Sequence, residues 1–381
     1  MADGVPSAPP MSPLQALARG LAGDMLLRIL LVALVALTLA APDRLGSYPS
    51  LVDWRTVGTL LGLLILTKGI ELSGWLPHVA RRLVGLMSSE RLLALLLVMS
   101  TAALATVLTN DVALFVIVPL TLTLKDTGLP LTRLIVFEAL AANAGSVLTP
   151  VGNPQNLFLW QLSHTSFAQF AWTMLPLTVL LLTPLLLLTL LSFSGRALQF
   201  PQRRAAAQTD RLQLGLSLTL YLPFLVLTDM HRPLAALLVL APLLLARRSV
   251  LLRIDWGLLL VFVLMFIDLR LLGALPPVKN LIAAINLDIV WHLYAASILA
   301  SQVVSNVPAA ILLAQYSHDW KVIAYGVNVG GFGFMLGSLA NIIALRMTPD
   351  RRAWMVFHAY SVPFLAVAAV LAWLVLRQPG A

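Results

Sequence analysis

The stretch VLTNDVALFVIVPLTL (107–122), a short basic turn and then LIVFEALAANAGSVLTPVGNPQN (134–156) decide how this chain is to be read. The stretch is apolar enough to lie in lipid, yet polar residues interrupt it at Thr109-Asn110-Asp111 and again from Thr149 to Asn156. In hydrocarbon an unpaired backbone amide costs several kcal/mol, so non-helical chain at that depth must be buried in protein or line a wet cavity. Two such interruptions close together point to a built site.

The rest of the chain is of the same kind. Of 381 residues, 60% are hydrophobic and 11% charged, where a soluble domain carries about 25% charged residues. The mean hydropathy of +0.92 places the protein among all-α polytopic membrane proteins. A formal charge of +9 does not indicate a nucleic-acid partner, because the basic residues lie in short loops between apolar runs, the positive-inside pattern. With no cysteine there is no disulfide, thiolate metal site or cysteine nucleophile, and the six histidines form no HExxH pair. Residues 1–24, rich in Pro, Ala and Ser, are expected to be a flexible cytoplasmic tail. Leu26–Ala41 is either a retained first span or a signal core cleaved near Ala40 or Ala41; the retained span is the reading adopted, since a polytopic chain needs no cleaved signal.

Spans are expected at 26–41 and 54–71, followed by an amphipathic piece with His78, Arg81 and Arg82. Residues 92–124 as one helix would measure ~50 Å against a ~30 Å hydrocarbon core, while two full crossings need ~40 residues. The stretch therefore reads as a re-entrant hairpin, with half-depth legs, Thr109-Asn110-Asp111 at a midplane tip and both feet on the Arg91/Lys125 side. A broken span, 133–163, is interrupted at 149–155. Spans 171–193, 212–228, 234–246 and 256–271 follow, then a second hairpin, 290–320, with Ser305-Asn306-Val307-Pro308 at its tip. A second broken span, 321–347, is interrupted at 337–341, and 354–376 is the last crossing. About nine full crossings put every Arg/Lys cluster on one side, with the N-terminus inside and the C-terminus outside.

The two halves repeat. Asp53-Trp54 matches Asp255-Trp256, and Lys68 matches Arg270 at the same distance past the tryptophan. Asn143, Gly145, Gly152 and Asn156 match Asn328, Gly330, Gly337 and Asn341 at one constant offset. The predicted architecture is thus two inverted-topology repeats, each with a re-entrant hairpin and a broken helix: residues 25–195, then a basic linker and linking span at 196–232, then 233–381. Paired interrupted segments at corresponding positions of inverted halves mark the central site of a secondary transporter.

A broken helix exposes free N–H groups at the start of its second half and free carbonyls at the end of its first, suited to an anion and a cation respectively. Asn110, Asn156, Asn306 and Asn341 can donate to a solute oxygen or offer an oxygen to Na⁺, and Thr109, Ser146, Thr149, Ser305 and Ser338 add hydroxyls. Gly145, Gly152, Gly330 and Gly337 are expected to supply unusual dihedrals and close approach, and Pro150 and Pro154 to keep the break open.

This constellation resembles the ion transporter superfamily, which includes sodium/dicarboxylate symporters, citrate transporters, arsenite permeases and a sodium/proton antiporter branch. The resemblance covers nearly the whole chain. TPVGNPQN at 149–156 is similar to that group's Thr-Pro-hydrophobic-Gly-x-Pro-Pro-Asn break, and the asparagine-bearing tips to its Ser-Asn-Thr tips. It implies solute contact by Thr109, Asn110, Asp111, Ser305, Asn306 and Val307, with Pro154, Asn156 and Asn341. It also implies coupling-cation sites, with Na⁺ at the two helix breaks, around Asn143, Ser146, Thr149, Gly152, Asn153, Asn328, Gly337 and Ser338. An elevator-like motion and a homodimer are implied as well. The chain departs from the symporter pattern at Asp111 and Val307, and the second break, GSLAN, lacks the Pro-Pro. Thr-Asn-Asp looks closer to the arsenite permeases.

Asp111 is the one carboxylate at a tip and is expected to serve coupling. Glu138 is either a second proton or cation acceptor or a locally paired residue. Lys68 with Glu71, and Asp268 with Arg270, are expected to snorkel or pair locally. The function expected is transport of a small anionic solute, a carboxylate or oxyanion, coupled to Na⁺ or H⁺, without a further cofactor; an arsenite-type exporter or cation/proton antiporter using Asp111 is the alternative. The motifs of intramembrane proteases are absent from the sequence, so no enzyme is expected. The setting is an integral, inner (plasma) membrane one.

Overall fold

A chain this poor in polar side chains can satisfy its backbone in lipid only by local hydrogen bonding. The computed structural model describes residues 25–84, 87–198 and 209–378, and these are helical but for turns and one isolated bridge, Ser89 to Ala197. The tail 1–24, together with Arg203 and Arg204 of the basic linker, lies outside the described residues.

Among the described residues five helices are long and apolar enough to cross a membrane alone: Glu90–Val107, Phe167–Ser192, Arg211–Asp229, Trp256–Ala274 and Ala353–Leu376. A sixth arises if Met25–Ala40 and Pro42–Leu51, bent by 119°, count as one span. Met25–Ala40 packs along Trp256–Ala274 and buries Leu27 and Leu30.

The other expected crossings have other forms. Trp54–Leu72 has 19 residues, but Arg55, Lys68 and Glu71 raise its charge. Residues 234–246 divide into Pro233–Leu238 and Ala241–Ala246. The two interrupted segments divide as Leu131–Gly145 with Pro154–Ser163, and Trp320–Val329 with Leu339–Met347. Glu90–Val107, expected to be a half-depth leg, has 18 residues and is long enough to cross unaided. It packs on Asn110–Leu122, its successor across Leu108 and Thr109, as Val290–Val304 packs on Asn306–Leu313.

Contacts between distant loops sort the chain into two ends. At one end, Arg91 Nε donates to the Phe193 carbonyl (3.0 Å), Arg133 to the Ser192 carbonyl (2.8 Å) and Arg196 to the Gly128 carbonyl (2.9 Å). Thr132 donates to Asp350 at the same end (3.0 Å). At the other, Phe167 N donates to Asp229 (2.6 Å), Phe170 stacks on Trp320 (5.1 Å) and Trp291 meets Trp373 (5.0 Å). The 26-residue helix Phe167–Ser192 runs between them, ~39 Å at 1.5 Å per residue. The chain around Arg91 therefore meets one end of that helix, and Trp320 meets the opposite end.

Candidate functional site

Both interrupted segments are held by the helices that precede the tips. Thr106 donates to the Gly145 carbonyl (2.8 Å), and Thr149 donates back to the Thr106 carbonyl (2.5 Å). In the second half Gln302 donates to the carbonyls of Gly330 (2.6 Å) and Phe332 (3.0 Å) and accepts from Phe334 N (2.8 Å). Thr106 and Gln302 each lie four residues before a tip asparagine and do the same work, yet neither stands out in the sequence. The break glycines matter for closeness rather than for dihedrals. Among the described residues the glycines at positive φ are Gly74, Gly128 and Gly333, so the expected unusual dihedrals at Gly145, Gly152, Gly330 and Gly337 are not found. A Cβ on Gly145 would stand 2.1 Å from the Ala102 carbonyl oxygen, and one on Gly152 2.3 Å from that of Ser146.

The asparagines of the two breaks bond to one another across the halves. Asn143 Nδ2 donates to Asn341 Oδ1 (2.7 Å), and Asn328 Nδ2 donates to Asn156 Oδ1 (2.7 Å). Ser338 donates to Asn143 Oδ1 (2.9 Å), and Asn153 donates to Asn328 Oδ1 (3.0 Å). Asn341 donates to the Gly331 carbonyl (2.9 Å) and Asn156 to that of Ser146 (3.3 Å). Each bond maps onto the next under the repeat offset, with the halves exchanged. Asn153 and Ser338 also cap the helices after the breaks, accepting from Asn156 N and Ala340 N. Ser146 donates to the Asn143 carbonyl (3.0 Å), and Pro154 opens its helix buried beside these groups. The expected cation-site residues Asn143, Ser146, Asn153, Asn328 and Ser338 thus form one buried network with Asn156 and Asn341, in which every side-chain amide is engaged.

The tips differ from this. At the first, Thr109 caps Val112 N, and Asn110 N donates to the Gly152 carbonyl (2.9 Å), docking the tip on the break. Asn110 is 4% exposed, and its Nδ2 has no partner among the described residues. Beside it, Asp111 Oδ1 is buried without a hydrogen bond. At the second tip, Ser305 adopts φ 76°, ψ 158°, a region that side-chain-bearing residues avoid, and caps nothing. The N–H groups of Asn306 and Val307 donate no bond to the described residues, and neither does Asn306 Nδ2, which lies beside Gly331. The tip asparagines therefore keep free amide donors, whereas the break asparagines do not.

Of the remaining charged residues, Lys68 pairs with Glu71 (2.6 Å) as expected. Asp268 does not pair: it is 3% exposed, neither oxygen has a partner, and Arg270 instead lies 5.8 Å over the Phe266 ring. The pair was expected from their place near a span end, but residues two apart lie on different faces of their helix. Glu138 is fully buried and accepts from Thr121 (2.5 Å) on Oε1, leaving Oε2 unpartnered. No group of three or more His, Asp or Glu gathers among the described residues, so a cation here would depend on carbonyl, hydroxyl and amide oxygens.

Residues 17–319 match the family described as citrate transporter. The chain is 44% identical over 361 residues to the inner membrane protein YbiR of Escherichia coli, covering 94% of this chain and 97% of that one. It is 32% identical over 306 residues to an uncharacterized transporter of Methanocaldococcus jannaschii, covering 78% of this chain and 82% of the relative. An uncharacterized transporter of Mycobacterium tuberculosis is 25% identical over 382 residues, covering 87% and 88%.

Proposed function

The chain belongs to the citrate transporter family and is a membrane transporter, and from that premise we propose that it moves a small anionic solute, a carboxylate or oxyanion, by secondary active transport coupled to Na⁺ or H⁺. The observation that carries this reading is the division of labour among the buried asparagines. Those at the breaks are saturated by one another, whereas Asn110 and Asn306 each leave Nδ2 without a partner among the described residues, and the second tip adds the unbonded N–H groups of Asn306 and Val307. Uncommitted donors at buried positions suit the oxygens of an anion. The carbonyls and hydroxyls of the two breaks, with Glu138 and Asp111, are the oxygens open to a coupling cation or proton.

In this reading, 92–124 and 290–320 are re-entrant hairpins in halves of opposite topology, about nine full crossings in all. The contacts of Arg91 and Trp320 with opposite ends of Phe167–Ser192 support it, as does the exchange of bonds under the repeat offset. We place the protein in the inner membrane with the basic end cytoplasmic, following the relative's name and the positive-inside pattern. Elevator-like movement, in a homodimer, belongs to the same proposal.

The test is uptake of labelled citrate, dicarboxylates and arsenite into proteoliposomes under separate Na⁺ and H⁺ gradients. Asn110→Ala and Asn306→Ala are each expected to abolish uptake while the protein stays in the membrane. Wild-type rates in both would remove the tips from the site. The unpartnered Asp111 Oδ1 favours one second reading, an arsenite-type exporter or cation/proton antiporter. That reading requires pH-driven movement lost in Asp111→Asn.

A further inference from the structure

We propose that Asp268 is a proton-carrying residue of this transporter, taking H⁺ from the water of one membrane face and giving it to the other as the solute moves. The inference rests on the transport reading above and specifies its coupling ion. Asp268 lies within the unbroken helix Trp256–Ala274, 3% exposed, and neither carboxyl oxygen has a hydrogen bond. The ion pairs among the described residues, Lys68–Glu71, Arg196–Glu90 and Arg247–Asp210, do not include it. An ionised carboxylate cannot stay in such surroundings without a partner, so in this state the group must be neutralised.

A metal ion would need several oxygen ligands around it. Here the helix commits its carbonyls to its own amides, and two of them near Asp268 carry a further bond. Leu269 accepts from Gln315 Nε2 (3.0 Å), and Gly273 accepts from the Tyr316 hydroxyl. A proton needs no such shell. Counted from the tryptophan that opens each helix, the position in the first half corresponding to Asp268 is Leu66, which is fully buried. An apolar side chain thus meets the packing demand there, and the acid is an addition.

The surroundings hold few charges. Arg270 is on the same helix and Arg28 on Met25–Ala40; Trp54–Leu72 brings Arg55, Lys68 and Glu71, Pro276–Ile285 brings Lys279, and Tyr48–Leu51 brings Tyr48. Asn306–Leu313, the helix of the second tip, packs against the Asp268 helix and carries no titratable group. Releasing the proton converts –COOH to –COO⁻ and requires water to enter, and rebinding it expels that water. The charge state of Asp268 thereby biases the interface behind the second tip, which links proton movement to solute movement.

The test uses the full chain in proteoliposomes with whichever labelled carboxylate or oxyanion the wild type carries. Solute exchange without a gradient, accumulation under a pH gradient and H⁺ flux by an entrapped pH dye are measured for wild type, Asp268→Asn, Asp268→Leu and Asp268→Glu. The Asn and Leu variants should keep exchange but lose pH-driven accumulation, H⁺ flux and pH dependence, and the Glu variant should regain all three. Wild-type H⁺ flux in Asp268→Asn overturns the inference, as does loss of exchange together with accumulation in a variant that remains folded. Accumulation driven by Na⁺ alone in the wild type also overturns it while leaving the transport reading intact. Wild-type vesicles that move none of these solutes overturn the transport reading itself.

Discussion

At Gly145 the absent side chain is what lets two helices touch. A Cβ there would fall 2.1 Å from a backbone oxygen of Glu90–Val107, which cannot swing aside as a side chain could. Gly145→Ala is expected to cost at least about 1–3 kcal/mol, read as loss of the monodisperse peak and a lower Tm in detergent. Gly58 is the control, since its nearest neighbour would lie 3.8 Å away; Gly58→Ala should be neutral or stabilising by about 0.5–1 kcal/mol. The asparagine pairs allow a second check. Asn143→Ala leaves Asn341 and Ser338 with buried groups unpaired and should cost about 1–3 kcal/mol, and the double change with Asn341→Ala should cost less than the sum. Additive losses in a thermal-denaturation cycle would mean that the two do not bond. The pattern of asparagines and glycines was legible in the sequence. Their pairing across the halves was not, because it depends on which segments fold back beside each other.

Among the elements, Arg211–Asp229 shows how the basic end is held. Asp210 caps this helix by accepting from Gln213 N (3.0 Å) and pairs with Arg247 (2.9 Å), while its own N–H donates to the Ser73 carbonyl (2.9 Å). The Gln213 amide and then the Arg247 guanidinium hold its carboxyl below the usual carboxylate range. At Asp350, the Arg352 amide and the Thr132 hydroxyl act likewise. A carboxyl whose value is depressed by folding stabilises the protein above its unfolded value and loses that contribution as pH falls through the folded one. Tm should therefore decline on acidification below about pH 4. Asp210→Asn should show a lower neutral Tm and a shallower acid slope. An unchanged slope would remove Asp210 from the acid response. The basic linker was readable from the sequence, but the cap at Asp210 was not singled out there, and Asp210–Arg247 could not be, since it joins two separate loops.

For the whole molecule, the arrangement of ends makes a topological prediction that a chain without cysteine is suited to test. Lys125→Cys and Asp288→Cys lie at exposed positions near the two sets of helix feet. In intact cells Asp288→Cys should react with an impermeant maleimide, and Lys125→Cys only after the membrane is opened. Labelling of both from the same face would end the inverted arrangement. The five helices that can cross unaided are the evenly apolar ones, for which hydropathy is a direct measure of fit to lipid. Segments with an internal break are too short to score by that measure.

Hydropathy and the placing of Gly, Pro and Asn within apolar runs determined that this is a helical membrane protein with interrupted segments, because each depends on a residue and its near neighbours in the chain. Which asparagines are saturated, which donors stay free at the tips, that Thr106 and Gln302 clamp the breaks, and that Asp268 stands without a partner were decided only by the tertiary structure. A buried polar group is satisfied, or left unsatisfied, by atoms that folding brings from far along the chain.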